Sequence, residues 1–248
     1  MTPTNLLIFA GGGLFAGILA GFLGIGGGTI LVPLLVALGY QPVQAVATSS
    51  LSIVITAISG SIQNWRMGYF SFQRVIGIGF PAVVTAQLGA YLAELFAPYW
   101  LLAAFGILLL INAYLVELRK RLSAREKQEL QEAVGETSTH ESGIKATISR
   151  IVTGSAAGVL AGLFGVGGGV IMVPLQILLL GEKIKTAIQT SLGVIVITAV
   201  SATVGHAFRG NVLWIEGLLL GIGGLLGAQI STRILPKLPD HVVSLAFR

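Results

Sequence analysis

Two short glycine runs hold the chemistry open to this sequence. Gly24-Ile25-Gly26-Gly27-Gly28 leads into Thr29-Ile30-Leu31-Val32-Pro33, and Gly165-Val166-Gly167-Gly168-Gly169 leads into Val170-Ile171-Met172-Val173-Pro174. Both lie inside long apolar stretches. A helix broken at these runs frees the peptide N–H groups of Gly26, Gly27, Gly28 and Thr29, and of Gly167, Gly168 and Gly169. A helix start carries roughly +0.5 of a charge, so it can hold an anion without a buried lysine. Close helix packing is the competing use of glycine. Gly17, Gly21 and Gly24, spaced by four and then three, fit packing well, whereas three consecutive glycines serve it poorly. A dinucleotide fingerprint is excluded: no strand precedes the run, and no acidic residue follows about 20 positions on.

A second set of polar residues repeats in the same way. Thr48-Ser49-Ser50 and Gln189-Thr190-Ser191 fall about a turn and a half into the next helix of each half. Three adjacent polar residues cover nearly a full turn, so some face inward, where hydroxyls and an amide can donate to an oxyanion. Back-bonding to their own helix is the alternative. Asn64 and His206 end these helices, each with a glycine four residues later, Gly68 and Gly210. His206 is the imidazole positioned to relay a proton within a bundle, although a histidine at a helix end is more often interfacial. Gln87 and Gln229 stand beside matching Leu-Gly-Ala triplets and are candidates to line the cavity.

Glu94 and Glu216 lie near helix ends and read as solvated carboxylates. No Asp, Glu or Lys falls clearly at mid-membrane, which argues against coupling through a buried carboxylate and against hydrolysis, which usually needs a base pair or triad. Zero cysteines exclude thiolate metal sites, and His140, His206 and His241 lie too far apart in sequence for a histidine-only centre. The expectation is a protein that is not an enzyme and needs no metal or cofactor.

The elements that position these residues are membrane helices. The 248 residues are 54% hydrophobic and only 10% charged, against about 25% charged in soluble domains. Mean hydropathy is +0.88. The net charge of +5 is spread over loops, so the expected partners are a bilayer and a small anion, not nucleic acid. The start lacks a basic n-region and a cleavage site, and reads as the first membrane segment. Residues 6–38 form an apolar stretch too long for one crossing and too short for two, so it is either a broken crossing or a re-entrant hairpin with the glycines at its tip. A helix follows from about Val43 to Gln63, and the run from Val75 to Val116 splits into two helices at Pro98. Residues 149–180 repeat the broken stretch, with further helices over about 186–207 and 212–235. From 240 onward the apolar run is too short to cross, so the last helix is expected to be truncated.

The fold class is therefore all-α and polytopic: two homologous repeats, each a broken or re-entrant glycine segment plus three transmembrane helices. Residues 1–118 form the first repeat, 119–148 a charged cytoplasmic connector, and 149–248 the second repeat. At an offset of 141 residues both glycine runs and both prolines coincide, and Ser50-Leu51 falls on Ser191-Leu192. Such paired interruptions are the best sequence pointer to a transporter binding site. If each broken stretch is a hairpin, the repeats are inverted. Four of the five basic residues in the second-half loops, Lys183, Lys185, Arg233 and Lys237, then share the connector's side and only Arg209 does not. The positive-inside rule favours that arrangement.

The doubled pattern Ala-Gly-x-Leu-Ala-Gly-x-x-Gly-x-Gly-Gly-Gly…Val-Pro, with Ala47-Thr48-Ser49-Ser50, Gln189-Thr190-Ser191 and the Asn64/His206-x-x-x-Gly ends, resembles the sulfite exporter TauE/SafE family. The resemblance covers nearly the whole chain outside the connector. It implies a multi-pass permease of the bacterial inner membrane for a small sulfur-containing anion such as sulfite, sulfoacetate or a related sulfonate. An anion channel-like pore or a membrane-embedded enzyme on the same fold is the alternative.

Overall fold

In the computed structural model, residues 3–111 and 143–238 are described. Among the described residues nine α-helices run in order: α1 (Pro3–Leu23), α2 (Gly28–Ala37), α3 (Pro42–Arg66), α4 (Phe72–Leu95), α5 (Pro98–Ile111), α6 (Gly143–Phe164), α7 (Gly169–Leu180), α8 (Ile184–Phe208) and α9 (Trp214–Ile234), followed by a short 3-10 turn. Six of them, α1, α3, α4, α6, α8 and α9, are long and apolar enough to cross a membrane. Most of the expected connector, the last residues of the run expected to reach Val116 and the expected truncated helix from 240 lie outside the described residues. α6 begins at Gly143, six residues ahead of the expected start of the second repeat.

Each glycine run reverses the chain. Gly24, Gly26 and Gly27 have φ of +66°, +84° and +84°, and Gly165, Gly167 and Gly168 have +62°, +74° and +80°. Only glycine takes this left-handed region without strain. Past the turn, α2 runs back along α1: Gly27 backs onto Ala16, Leu34 onto Gly12, and the Tyr40 ring lies 6.4 Å from the Phe9 ring. The second half does the same, with Gly168 against Ala157 and Glu182, past the end of α7, within the field of Arg150 near the start of α6. Of the two shapes open to residues 6–38 and 149–180, each is a hairpin. Its first arm is full length (21 and 22 residues) and its second is short (10 and 12 residues).

The halves interlock. α1 packs on α9 of the other half, α6 packs on α4, and α3 and α8 pack together in the middle. Glycine makes the outer contacts possible. A Cβ at Gly13 or Gly17 would strike the backbone of Leu220 or Gly224, and one at Gly154, Gly158 or Gly162 would strike the backbone of Ile78, Ala82 or Ala86. Lipid supplies no hydrophobic drive between helices, so close backbone approach must hold them. Gly17 and Gly21 thus pack, as expected, whereas Gly24, expected to pack with them, stands in the left-handed turn with its carbonyl on Ser191.

The helix ends sort into two groups. In one, Arg74 pairs with Glu182 at 3.4 Å, and the Lys185 ammonium donates to the Pro236 carbonyl at 3.4 Å. In the other, Arg209 pairs with Glu94 at 3.0 Å and sits over the Tyr91 ring, and the Tyr40 hydroxyl donates to Glu216 at 3.4 Å. Burial pushes the Glu182 carboxyl above its usual range, and Arg74 and Arg150 pull only partly against that shift.

Candidate functional site

The two glycine tips meet each other. A Cβ at Gly28 would strike Gly165 and Val166, and one at Gly169 would strike Gly24 and Ile25. The point where a Cβ would stand on Gly26 lies 2.9 Å from the Val166 carbonyl. Bare backbone at these positions is what lets two chain reversals share one place.

Carbonyls and amides of the tips are treated differently. Ser49 donates to the Gly165 carbonyl at 2.8 Å, and Ser191 donates to the Gly24 carbonyl at 2.5 Å. Thr198 donates to the Gly167 carbonyl at 2.9 Å. The N–H groups of Gly26, Gly27, Gly28 and Thr29, and those of Gly167, Gly168, Gly169 and Val170, carry no backbone hydrogen bond among the described residues. Gly27 and Gly168 stand at the N-caps of α2 and α7, and neither provides a side chain to cap them. Acceptors are consumed and donors remain, at two converging helix starts. Such a cluster favours an anion.

Ser49 and Ser191 make matching bonds, which corrects the pairing of the halves. Beyond the hairpins the offset is 142, not 141. Both α3 and α8 have 25 residues and start at Pro42 and Ile184, so Thr48 matches Thr190, Ser49 matches Ser191, and Ser50 falls on Leu192. α7 is two residues longer than α2, and the link after it is one residue shorter. The net extra residue moves everything downstream by one. Ser50 accordingly bonds back to Val46 in its own helix at 3.0 Å. Thr48 accepts from the Leu213 N–H at 3.1 Å, at the start of α9, so it serves that helix end instead of the tips. Gln189 and Thr190 are buried in the first turns of α8.

Gln87 and Gln229 stand away from the tips, in two matching clamps. Gln87 Nε2 donates to Ser201 Oγ at 3.1 Å, and Ser201 donates to the Val83 carbonyl at 2.8 Å. Gln229 Nε2 donates to Ser59 Oγ at 3.0 Å, and Ser59 donates to the Leu225 carbonyl at 3.0 Å. These clamps tie α4 to α8 and α9 to α3, so the two glutamines join helices instead of lining a cavity. Asn64 and His206 are fully buried at matching helix ends. His206 Nε2 meets the Gly162 carbonyl at 2.8 Å, while Nδ1 and both amide atoms of Asn64 have no partner among the described residues. His206 is therefore a buried bundle residue, not an interfacial one.

Ser59, Ser201 and Thr198 were missed in the sequence. The signal was present, since Ser49, Ser52, Thr56, Ser59 and Gln63 recur at helical spacing along α3. A cavity of about 340 Å³ lies elsewhere, between Ile58, Phe70, Ile76, Gly193 and Val196. Its wall is almost entirely apolar, so a hydrated oxyanion would lose its hydrogen bonds there, and the tips are the better candidate.

Comparison with known proteins agrees with this architecture. The chain is 27% identical to the probable membrane transporter protein YunE of Bacillus subtilis, over 95% of this chain and 90% of that one. It is 27% identical to a probable membrane transporter protein of Xylella fastidiosa, over 100% of this chain and 92% of that one. It is 26% identical to the probable membrane transporter protein MJ0441 of Methanocaldococcus jannaschii, over 91% and 86%. No solved structure matches it significantly. The family model described as Sulfite exporter TauE/SafE matches residues 9–248, and the chain, a membrane transporter, belongs to that family.

Proposed function

We propose that this protein is a secondary transporter that moves a small sulfur-containing anion, sulfite, sulfoacetate or a related sulfonate, across the bacterial inner membrane. The substrate is held between the two glycine tips. One observation carries this reading: the tip carbonyls at Gly24, Gly165 and Gly167 each take a hydroxyl, while the neighbouring amides carry no backbone hydrogen bond among the described residues. A tetrahedral or pyramidal oxyanion with several acceptor oxygens matches convergent N–H groups. The family description names sulfite, one such oxyanion.

The repeats are inverted in this reading. Support comes from the two hairpins and from the end contacts: the start of α3 lies with Phe9, near the start of α1, while the start of α8 lies with Pro236, near the end of α9. Arg66, Arg74, Arg150, Lys183, Lys185, Arg233 and Lys237 then share one face, the cytoplasmic one by the positive-inside rule, and Arg209 stands opposite. An anion leaving a negative-inside cell gains about 2.3 kcal/mol per charge per 100 mV, so efflux can run without a coupling ion.

The test is a binding screen on purified protein with sulfite, sulfate, thiosulfate, taurine and sulfoacetate, read by thermal shift. Stabilisation by at least one sulfur oxyanion is expected, at about 2.7 kcal/mol for ligand at 100 times its Kd. No stabilisation by any of the five rejects the substrate class.

A further inference from the structure

Ile53 and Ile195 pack against both glycine tips, and both are completely buried. Measured from where a Cβ would stand, Gly26 lies 3.4 Å from Ile53 Cγ2 and 3.5 Å from Ile195 Cγ2. Gly167 lies 3.2 Å and 2.9 Å from the same two methyl groups. Each isoleucine therefore touches both tips. They are also counterparts, each eleven residues after the first residue of its helix, and hence close to the middle of two 25-residue spans.

The two faces that bear these isoleucines are polar on either side of them. On α3, Ser49 holds a tip carbonyl on one side of Ile53, and Asn64, its amide unpartnered among the described residues, lies eleven residues further on the other. On α8, Ser191 and His206 stand in the same relation to Ile195. Each helix thus carries at mid-span, between a serine and a buried polar residue of the same face, a β-branched side chain held to one χ1 well. Apolar constrictions of this kind stop ions by dewetting.

We infer that Ile53 and Ile195 form the gate of this transporter: together they seal the space between the glycine tips in the closed state described here, and substrate passes when they part. The inference rests on the proposed transport reading, in that the tips are taken as the substrate path. It adds the barrier within that path.

The test uses the full chain in proteoliposomes, comparing wild type, Ile53→Ala, Ile195→Ala and the double variant. Osmotic water permeability is read by stopped-flow light scattering, and sulfite flux is read in parallel. The double variant is expected to raise water permeability roughly five- to ten-fold over wild type and to make sulfite flux non-saturating, with each single variant showing part of the rise. Water permeability at wild-type level in a folded double variant overturns the gate. If the alanine pair does not fold, the two single alanine variants decide instead: a smaller rise in either supports the gate, and no rise in both overturns it. Water permeability does not depend on substrate identity. A wild type that moves no sulfite beside a double variant that leaks water rejects the substrate and keeps the gate; saturable sulfite flux beside a tight double variant does the reverse.

Discussion

Ser49 and Ser191 each give a hydroxyl to a carbonyl in the opposite half of the chain, at 2.8 Å and 2.5 Å. Ser50, one position along, bonds only to its own helix. Alanine at Ser49 or Ser191 should therefore cost about 1 kcal/mol by leaving a buried carbonyl bare, while Ser50→Ala should cost much less. Unfolding midpoints in detergent compare the three. Glycines divide just as sharply. Gly11→Ala meets open space and should be neutral or gain up to about 1 kcal/mol of helix propensity. Gly28→Ala must push into the backbone of the other tip and should cost about 1–3 kcal/mol or prevent folding, as yield and melting temperature would report. The importance of the glycine runs was readable from residue type alone. Which serine of each triplet meets a tip was not, because that depends on a single net residue gained across α7 and the link after it.

Between elements, the organising contacts join one half to the other. α1 meets α9 and α4 meets α6 through glycine-to-backbone contacts, and the Gln87–Ser201 and Gln229–Ser59 clamps brace the central pair. Helix existence and length were legible from apolar runs and prolines. Cross-packing was not, since a glycine every fourth residue marks a close face without naming its partner. The mid-helix serines were overlooked because a hydroxyl in an apolar run reads equally as a back-bonding residue. At the helix ends, Glu182 gives a pH signature. Its carboxyl sits above the ordinary value of 4.5, so its contribution to stability is fully present below the unfolded pKa and falls as pH rises through the folded one. Glu182→Gln should flatten that fall, which melting curves taken across the acid range would reveal.

The whole molecule is a pair of hairpins whose tips meet among six membrane-length helices. Composition alone made it a polytopic membrane protein, and the repeated glycine runs gave it two halves. That the tips touch could not be read, because nothing in one repeat encodes its distance from the other. The absence of cysteine makes its orientation directly measurable. Gln73→Cys, at the start of α4, should be labelled by an impermeant thiol reagent only from inside, and Tyr99→Cys, at the start of α5, only from outside. The reverse pattern would invert the proposed topology. Most directly, flux of labelled sulfite into proteoliposomes of the wild-type chain tests the claim that the paired glycine tips carry a sulfur oxyanion. Saturable flux that unlabelled sulfonates compete with, and that Gly168→Ala removes, is the predicted result. Wild-type vesicles showing no saturable flux of sulfite, thiosulfate or sulfoacetate would contradict it.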